Sequence, residues 1–265
     1  MSDGGERPRV SVVRDGHVLL IGLDRPEKRN AADLRLLREL SLAYGLLDRD
    51  PELRVGVLHA HGDHFTAGLD LADVAPAVGS DGLDVVPEGG LHPWQVEGHQ
   101  LSKPVVAVVQ GTCLTLGVEL ALASDVVVAA DDARFGQIEV SRAILPFGGA
   151  TVRLPRRVGW GDAMRWMLTG DLLDAAEALR IGLVQEVLPR AEALGRGLEL
   201  ARRIAAQAPL AVQATLANAR LALREGDRAA ESQLQPELVR LMRTDDARIG
   251  HEAFLARTDA EFTGR

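Results

Sequence analysis

A mixed α/β fold is predicted for this chain of 265 residues by three features of its sequence. Apolar β-branched runs alternate with helix-spaced leucines through the first half, and the stretch from Gly159 onward reads mainly as helix. With 46% hydrophobic and 26% charged residues, the chain has the balance of a globular protein that buries a substantial core.

Residues 10–13 and 17–23 read as strands, with Asp15-Gly16 as the hairpin turn between them. Beyond Pro26, Leu34, Leu37, Leu40, Leu46 and Leu47 are spaced for one helix face. A strand at 55–58 follows, and the cycle recurs with a strand at 105–109, a helix from about 116 and a strand at 126–128. No repeat of fixed period accompanies it. Between 72 and 102, Pro76, Gly79, Gly82, Pro87, Gly89, Gly90 and Pro93 interrupt any periodicity, which predicts a long surface loop, either a lid or a mobile insertion. The second half carries helices at 161–169, 175–180, 190–206, 210–224 and 236–242, a last helix from about 245 toward 261, and one strand at 183–188. This half caps the α/β core or builds an oligomer interface. Residues 104–124 carry Glu119 as their one charge and are long enough to cross a bilayer. Gln110-Gly111 breaks the stretch, and its first half is β-branched, so two core elements fit better than one span.

Composition narrows the function. The net charge of −8 arises from 38 acidic and 30 basic residues with no basic run, which argues against nucleic acid and membrane surfaces as partners. The single cysteine, Cys113, excludes an internal disulfide and the metal motifs built on paired cysteines. The polar opening through Arg7-Pro8 has no apolar signal segment, so a cytoplasmic location is expected.

Glu119 stands among apolar neighbours at helical spacing. Two readings are open: a rim position facing water, or a buried acid beside the N–H groups of a helix start, where Gly117 precedes it. Glu139 follows twenty residues later, just before Pro146-Phe147-Gly148-Gly149. That interval leaves room for a helix, a strand and a returning loop, so the two carboxylates could meet across one pocket and divide acid and base roles. Most glutamate pairs at such a distance are unrelated surface residues. In Phe65-Thr66-Ala67-Gly68-Leu69-Asp70-Leu71, Ala67-Gly68 allows close approach to the backbone, or the segment is a plain connection with Asp70 as a helix cap. One N–H from this turn and one from the start of the Glu119 helix would together form an oxyanion hole. His59, His61 and His64 form the one histidine cluster; a metal site there needs a further ligand such as Asp63 or Asp70, and solvent-facing histidines are the simpler reading. No P-loop or dinucleotide fingerprint is present.

Taken in order, these segments resemble the crotonase family, the enoyl-CoA hydratase and isomerase superfamily, over nearly the whole chain. The likeness rests on Leu23-Asp24-Arg25-Pro26-Glu27-Lys28-Arg29-Asn30-Ala31, on the 65–71 turn, and on Gln110-Gly111 through Glu119 to Asp125. It continues through Phe135-Gly136-Gln137-Ile138-Glu139, Pro146 to Thr151, Thr169-Gly170-Asp171, Ala175-Ala176-Glu177-Ala178 and Gly182-Leu183-Val184.

The resemblance implies a right-handed crotonase-like spiral of ββα units over 1–195, carrying the acyl-CoA site. A helical C-terminal region over 196–265 would drive assembly into a homotrimer or a dimer of trimers. It implies an enoyl-CoA hydratase: the thioester oxygen is held by the N–H groups of Leu69 and Leu116, and Glu119 and Glu139 add water across the 2,3 double bond. No metal or redox cofactor is expected, coenzyme A entering as part of the substrate. Lys28, Arg29, Ala67, Gly68, Asp70, Leu71, Ala72, Gly117 and Arg257 fall at substrate- or CoA-binding positions. Thr115-Leu116-Gly117 replaces the usual glycines, and Phe147 the glycine after the proline. Ala72 stands where the family often has lysine, and Arg257 stands near a C-terminal lysine position. An isomerase and a non-catalytic acyl-CoA binder are the alternatives.

Overall fold

The computed structural model describes residues 7–80 and 82–265, so residues 1–6 of the polar opening lie outside the described residues. Strands β1 (Val10–Asp15) and β2 (Val18–Leu23) form the expected hairpin. β2 then pairs in parallel with β3 (Val55–Ala60), β3 with β4 (Val105–Val109), β4 with β6 (Val126–Ala130), and β6 with β9 (Glu186–Leu188). A second sheet joins β5 (Thr112–Leu114), β7 (Arg134–Gly136) and β8 (Leu173–Asp174).

The chain spirals between the two sheets. β4 leads to β5 and then to helix α3 (Leu116–Ala123), and β6 leads to β7 and on to α4 (Ala150–Val158). Earlier turns use single bridges in place of the second strand. β2 runs to Ala32 and α1 (Leu34–Arg49), and β3 runs to the Thr66–Leu69 turn and α2 (Leu71–Val74). Thr66 bridges Cys113 of β5, and Leu69 bridges Ala32. This stacking sets the 65–71 turn beside the start of α3.

The uninterrupted valines of β4 follow from burial on both faces. Val105, Ala107 and Val109 join the larger core with α1 and α3. Val106 and Val108 face α7 (Arg190–Ala205) through Ala193, Ala201 and Ala205. The division expected at 195/196 therefore falls inside a helix that packs along its length on the sheet. Helices α5 (Trp160–Thr169) and α6 (Ala175–Arg180) close the spiral, and α8 (Pro209–Glu225), α9 (Asp227–Leu241) and α10 (Asp245–Ala256) follow. No helix among the described residues is long and apolar enough to cross a membrane.

Several elements differ from expectation. On α1, Leu46 faces outward, and Leu36, Ala43 and Tyr44 complete the buried side. The 72–102 stretch is not only surface loop: Val74, Val85, Trp94 and Leu101 are buried, at spacings too irregular to give a period. Helix α4 carries Pro155 internally, which hid it, and α9 begins well before Pro236, its early turns burying only Ala230 and so showing no apolar period. α10 stops at the left-handed Arg257 and does not run to 261. Leu183 and Val184 are buried but precede the β9 ladder, and β5, β7 and β8 are too short to show alternation.

Candidate active site

The 65–71 turn is held by its own polar groups. The buried Asn30 side chain accepts from Arg25 N–H at 2.7 Å and donates to the carbonyls of His61 and His64 at 2.9 and 2.7 Å. Thr66 Oγ1 donates to Asn30 O at 2.7 Å and accepts from Gly68 N–H at 3.1 Å. The N–H of Thr66 goes to Thr112 O, that of Ala67 to Arg29 O and that of Asp70 to Ala32 O. Between Phe65 and Asp70 only the Leu69 N–H has no acceptor among the described residues.

Across from it, α3 starts with its first N–H groups unpaired, as helix geometry requires. Thr115 N–H goes to Gly136 O and Glu119 N–H to Thr115 O, while Leu116 N–H has no acceptor among the described residues. Thr115, the residue before the helix, holds φ +47° and ψ −110°, a conformation that favours glycine. Gly68 holds φ +100°, and a Cβ there would lie 2.3 Å from Thr115 Oγ1. The space beside Gly68 that sequence reasoning left for a ligand is thus occupied by Thr115, and the glycine is required by that contact.

These two segments border a cavity of about 160 Å³. Ala67, Leu69, Thr115 and Leu116 line one side, and Ile138, Glu139, Arg142, Ile144 and Phe147 another, with Leu71, Trp94 and Glu119 completing it. Glu119, in the first turn of α3, is 2% exposed, and Glu139, opening the 3-10 turn Glu139–Arg142, is 4% exposed. The rim reading of Glu119 is therefore excluded. Its Oε1 accepts from Ala150 N–H at 3.1 Å. One polar end of the Gln137 amide lies 2.9 and 2.7 Å from the two Glu139 oxygens. The hydrogen-bond network assigns that end to the amide nitrogen, which donates to both carboxyl oxygens.

Burial pushes both carboxyls up to about 7. At Glu119 the Ala150 N–H works against that rise, the Glu139 charge adds to it, and the Gly148 N–H and Arg153 oppose it. At Glu139 only its own backbone N–H opposes burial.

The remaining expected positions do not line the cavity. Asp70 pairs with Arg25 at 2.8 Å, which holds its carboxyl below the usual range, and it makes no side-chain helix cap. Lys28, Arg29 and Ala72 are exposed beside the turn, and Gly117 is buried against Thr66. Arg257 is exposed at the end of α10 and does not line the cavity in this chain. Lys103 is buried, its Nζ donating to Leu47 O and Asp50 O at the end of α1. The histidine cluster is internally engaged: His61 Nε2 lies 2.7 Å from Ser11 Oγ, and His64 Nδ1 accepts from Thr112 N–H. His59 is buried, not solvent-facing, and burial lowers it to about 4. Asp63 pairs with Arg190. Sequence reasoning missed Trp94, Ile138, Arg142 and Ile144. Trp94 sits in an aperiodic stretch, its ring 5.8 Å from that of Phe147, and no sequence signal ties it to the cavity.

Two buried carboxyls opposite two free backbone donors on a spiral α/β chain form an arrangement able to transfer protons beside an oxyanion. Residues 14–265 match the family model described as Enoyl-CoA hydratase/isomerase, and the chain belongs to that family, within the crotonase superfamily. It is similar to the solved structure of a probable enoyl-CoA hydratase/isomerase from Mycobacterium abscessus, with 56% identity and a TM-score of 0.94 over 97% of this chain and 99% of that one. It is 33% identical to enoyl-CoA hydratase EchA19 of Mycobacterium tuberculosis, over 97% of both chains. A carnitinyl-CoA dehydratase of Salmonella paratyphi A is 34% identical over 97% of this chain and 98% of that relative. The chain is an enzyme of the enoyl-CoA hydratase type.

Proposed function

We propose that this chain adds water across the 2,3 double bond of a 2-enoyl-CoA thioester. The observation that carries this reading is that Glu119 and Glu139 share one cavity with the unpaired N–H groups of Leu69 and Leu116. The thioester oxygen accepts from both N–H groups, which stabilises the enolate charge as the water oxygen bonds to Cβ. Glu119, favoured in its ionised form by the Ala150 and Gly148 N–H groups and by Arg153, takes the proton from that water. Glu139, whose burial favours the protonated form, delivers a proton to Cα. The products balance as one water gained, with the proton exchanged between the two glutamates returned through solvent.

In this reading coenzyme A enters only with the substrate and no other cofactor takes part. Leu71 on the cavity wall and the exposed Lys28, Arg29 and Ala72 beside the same turn, with Asp70 paired to Arg25, are assigned to the CoA part of the substrate. Arg257 reaches a CoA phosphate only if assembly brings it to a site. Leu234, Leu238, Met242, Phe254 and Leu255 remain exposed on α9 and α10, which supports assembly with further copies of this chain, as a trimer or dimer of trimers.

The test is turnover of crotonyl-CoA by wild type, Glu119→Gln and Glu139→Gln, followed by loss of the enoyl-thioester absorbance. Both variants should lose at least about 100-fold in kcat while binding the thioester normally. Loss in one variant only, with double-bond migration and no water gain, would assign the chain to isomerisation.

A further inference from the structure

At the far end of α3 from Glu119 lies a second cavity, of about 270 Å³, between the end of that helix, α4 and α8. Arg153, Arg156 and Arg157 of α4 line it together with Arg220 and Arg224 of α8, and Asp125 is the only carboxylate among its described lining residues. Asp125 is engaged by Arg220 at 3.0 Å. Four of the five guanidinium groups face uncharged acceptors as well: Arg153 donates to Trp94 O and Gln95 O, Arg157 to Ser124 O, Arg220 to Leu101 O and Arg224 to Gln100 Oε1. Carbonyls orient these groups without neutralising them. Arg157 Nη1 is buried with no hydrogen-bond partner, and Arg156 has no partner among the described residues.

Five cations line this half-buried space against one lining anion; burial holds Arg153 below its ordinary range, Glu119 opposes that, and the charges of Arg220 and Arg157 add to it. Arg153 acts on Glu119, and the hydration reaction uses none of the other four. From the cavity we infer a second binding site, for a tetrahedral oxyanion of the phosphate class, which bridges α4 of the core to α8 of the C-terminal region. Guanidinium forks suit such an anion, because each presents paired donors to its oxygens. Arg153 also donates to Gly148 O and Trp94 O, so an anion held here braces the segment that carries the N–H groups facing Glu119.

The test is inorganic phosphate titrated against chloride at matched ionic strength, read by calorimetry and thermal unfolding, on wild type, Arg156→Gln and Arg157→Gln. Wild type should bind phosphate saturably and gain Tm, with affinity reduced at least about 10-fold in Arg157→Gln and several-fold in Arg156→Gln. Without phosphate, Arg156→Gln should unfold no lower than wild type, since it removes repulsion and no contact, so weak binding cannot be misread as misfolding. Repeating the titration with saturating coenzyme A separates the sources. Competition assigns the anion to the ligand's own phosphates, and independent binding assigns it to free phosphate. Equal shifts in phosphate and chloride, or unaltered phosphate binding in both variants, would overturn the site whatever the enzyme's reaction.

Discussion

Glu119 Oε1 accepts a hydrogen bond from the Ala150 backbone N–H at 3.1 Å, so the start of α4 fixes an acid on α3. The approach leaves no room at the neighbouring glycine: a Cβ on Gly148 would stand 2.4 Å from Glu119 Oε2 and 2.8 Å from Trp94 Cδ1. Gly148→Ala is therefore expected to displace the carboxyl and lower kcat/KM by about 100-fold, since misplacement by about 1 Å has that effect on oriented catalytic groups. Steady-state kinetics beside circular dichroism checks it. An active Gly148→Ala would mean that Glu119 is not held by this contact.

Both glutamates titrate near 7, against an ordinary value of 4.5. The folded state thus holds protons that the unfolded chain has released. Their contribution to stability is fully present below about pH 4.5 and is lost as pH rises through 7. Glu119→Gln cannot ionise, so its Tm relative to wild type should climb between about pH 5 and pH 8. A difference that stays flat with pH would contradict the raised value. The rate of wild type should follow a bell centred near neutrality, reporting the pair and not either residue alone.

Thr115 holds a backbone conformation that side chains avoid, at a cost of about 1–3 kcal/mol. Thr115→Gly relieves this strain and gives back part of the gain as unfolded-state entropy. A net stabilisation of about 1 kcal/mol is expected in urea unfolding. Destabilisation would show that the Thr115 contact with Gly68 outweighs the strain.

Phe147 packs edge-on against Trp94 at the cavity wall and is 45% exposed. Phe147→Ala should cost little stability and move the kcat/KM optimum toward longer acyl chains. Comparison of crotonyl-CoA with a longer 2-enoyl-CoA measures this, and an unchanged ratio would remove Phe147 from the acyl path.

How much was legible in the sequence follows from what each residue answers to. The valines of β2, β3 and β4 answer to burial on both faces, and the leucines of α1 to a single face, so composition and period reveal them. Glu119 stood out because an acid among apolar neighbours needs a compensating partner. That partner, Ala150 N–H, is a backbone group brought from a distant segment, and no side chain advertises it. Trp94 enters the cavity from a stretch without period, and the left-handed Thr115 occupies a glycine conformation that its own identity argues against. No sequence pattern joins Arg153 and Arg157 to Arg220, which share a cavity only because α8 lies against α4.

The central claim is that Glu119 and Glu139 together add one water across the enoyl double bond. Turnover of crotonyl-CoA in ¹⁸O-enriched heavy water, with product mass and deuterium position determined, tests it most directly. One ¹⁸O at Cβ and one deuterium at Cα are expected in wild type, both absent in Glu119→Gln and in Glu139→Gln. Deuterium in a rearranged enoyl product without ¹⁸O would contradict it.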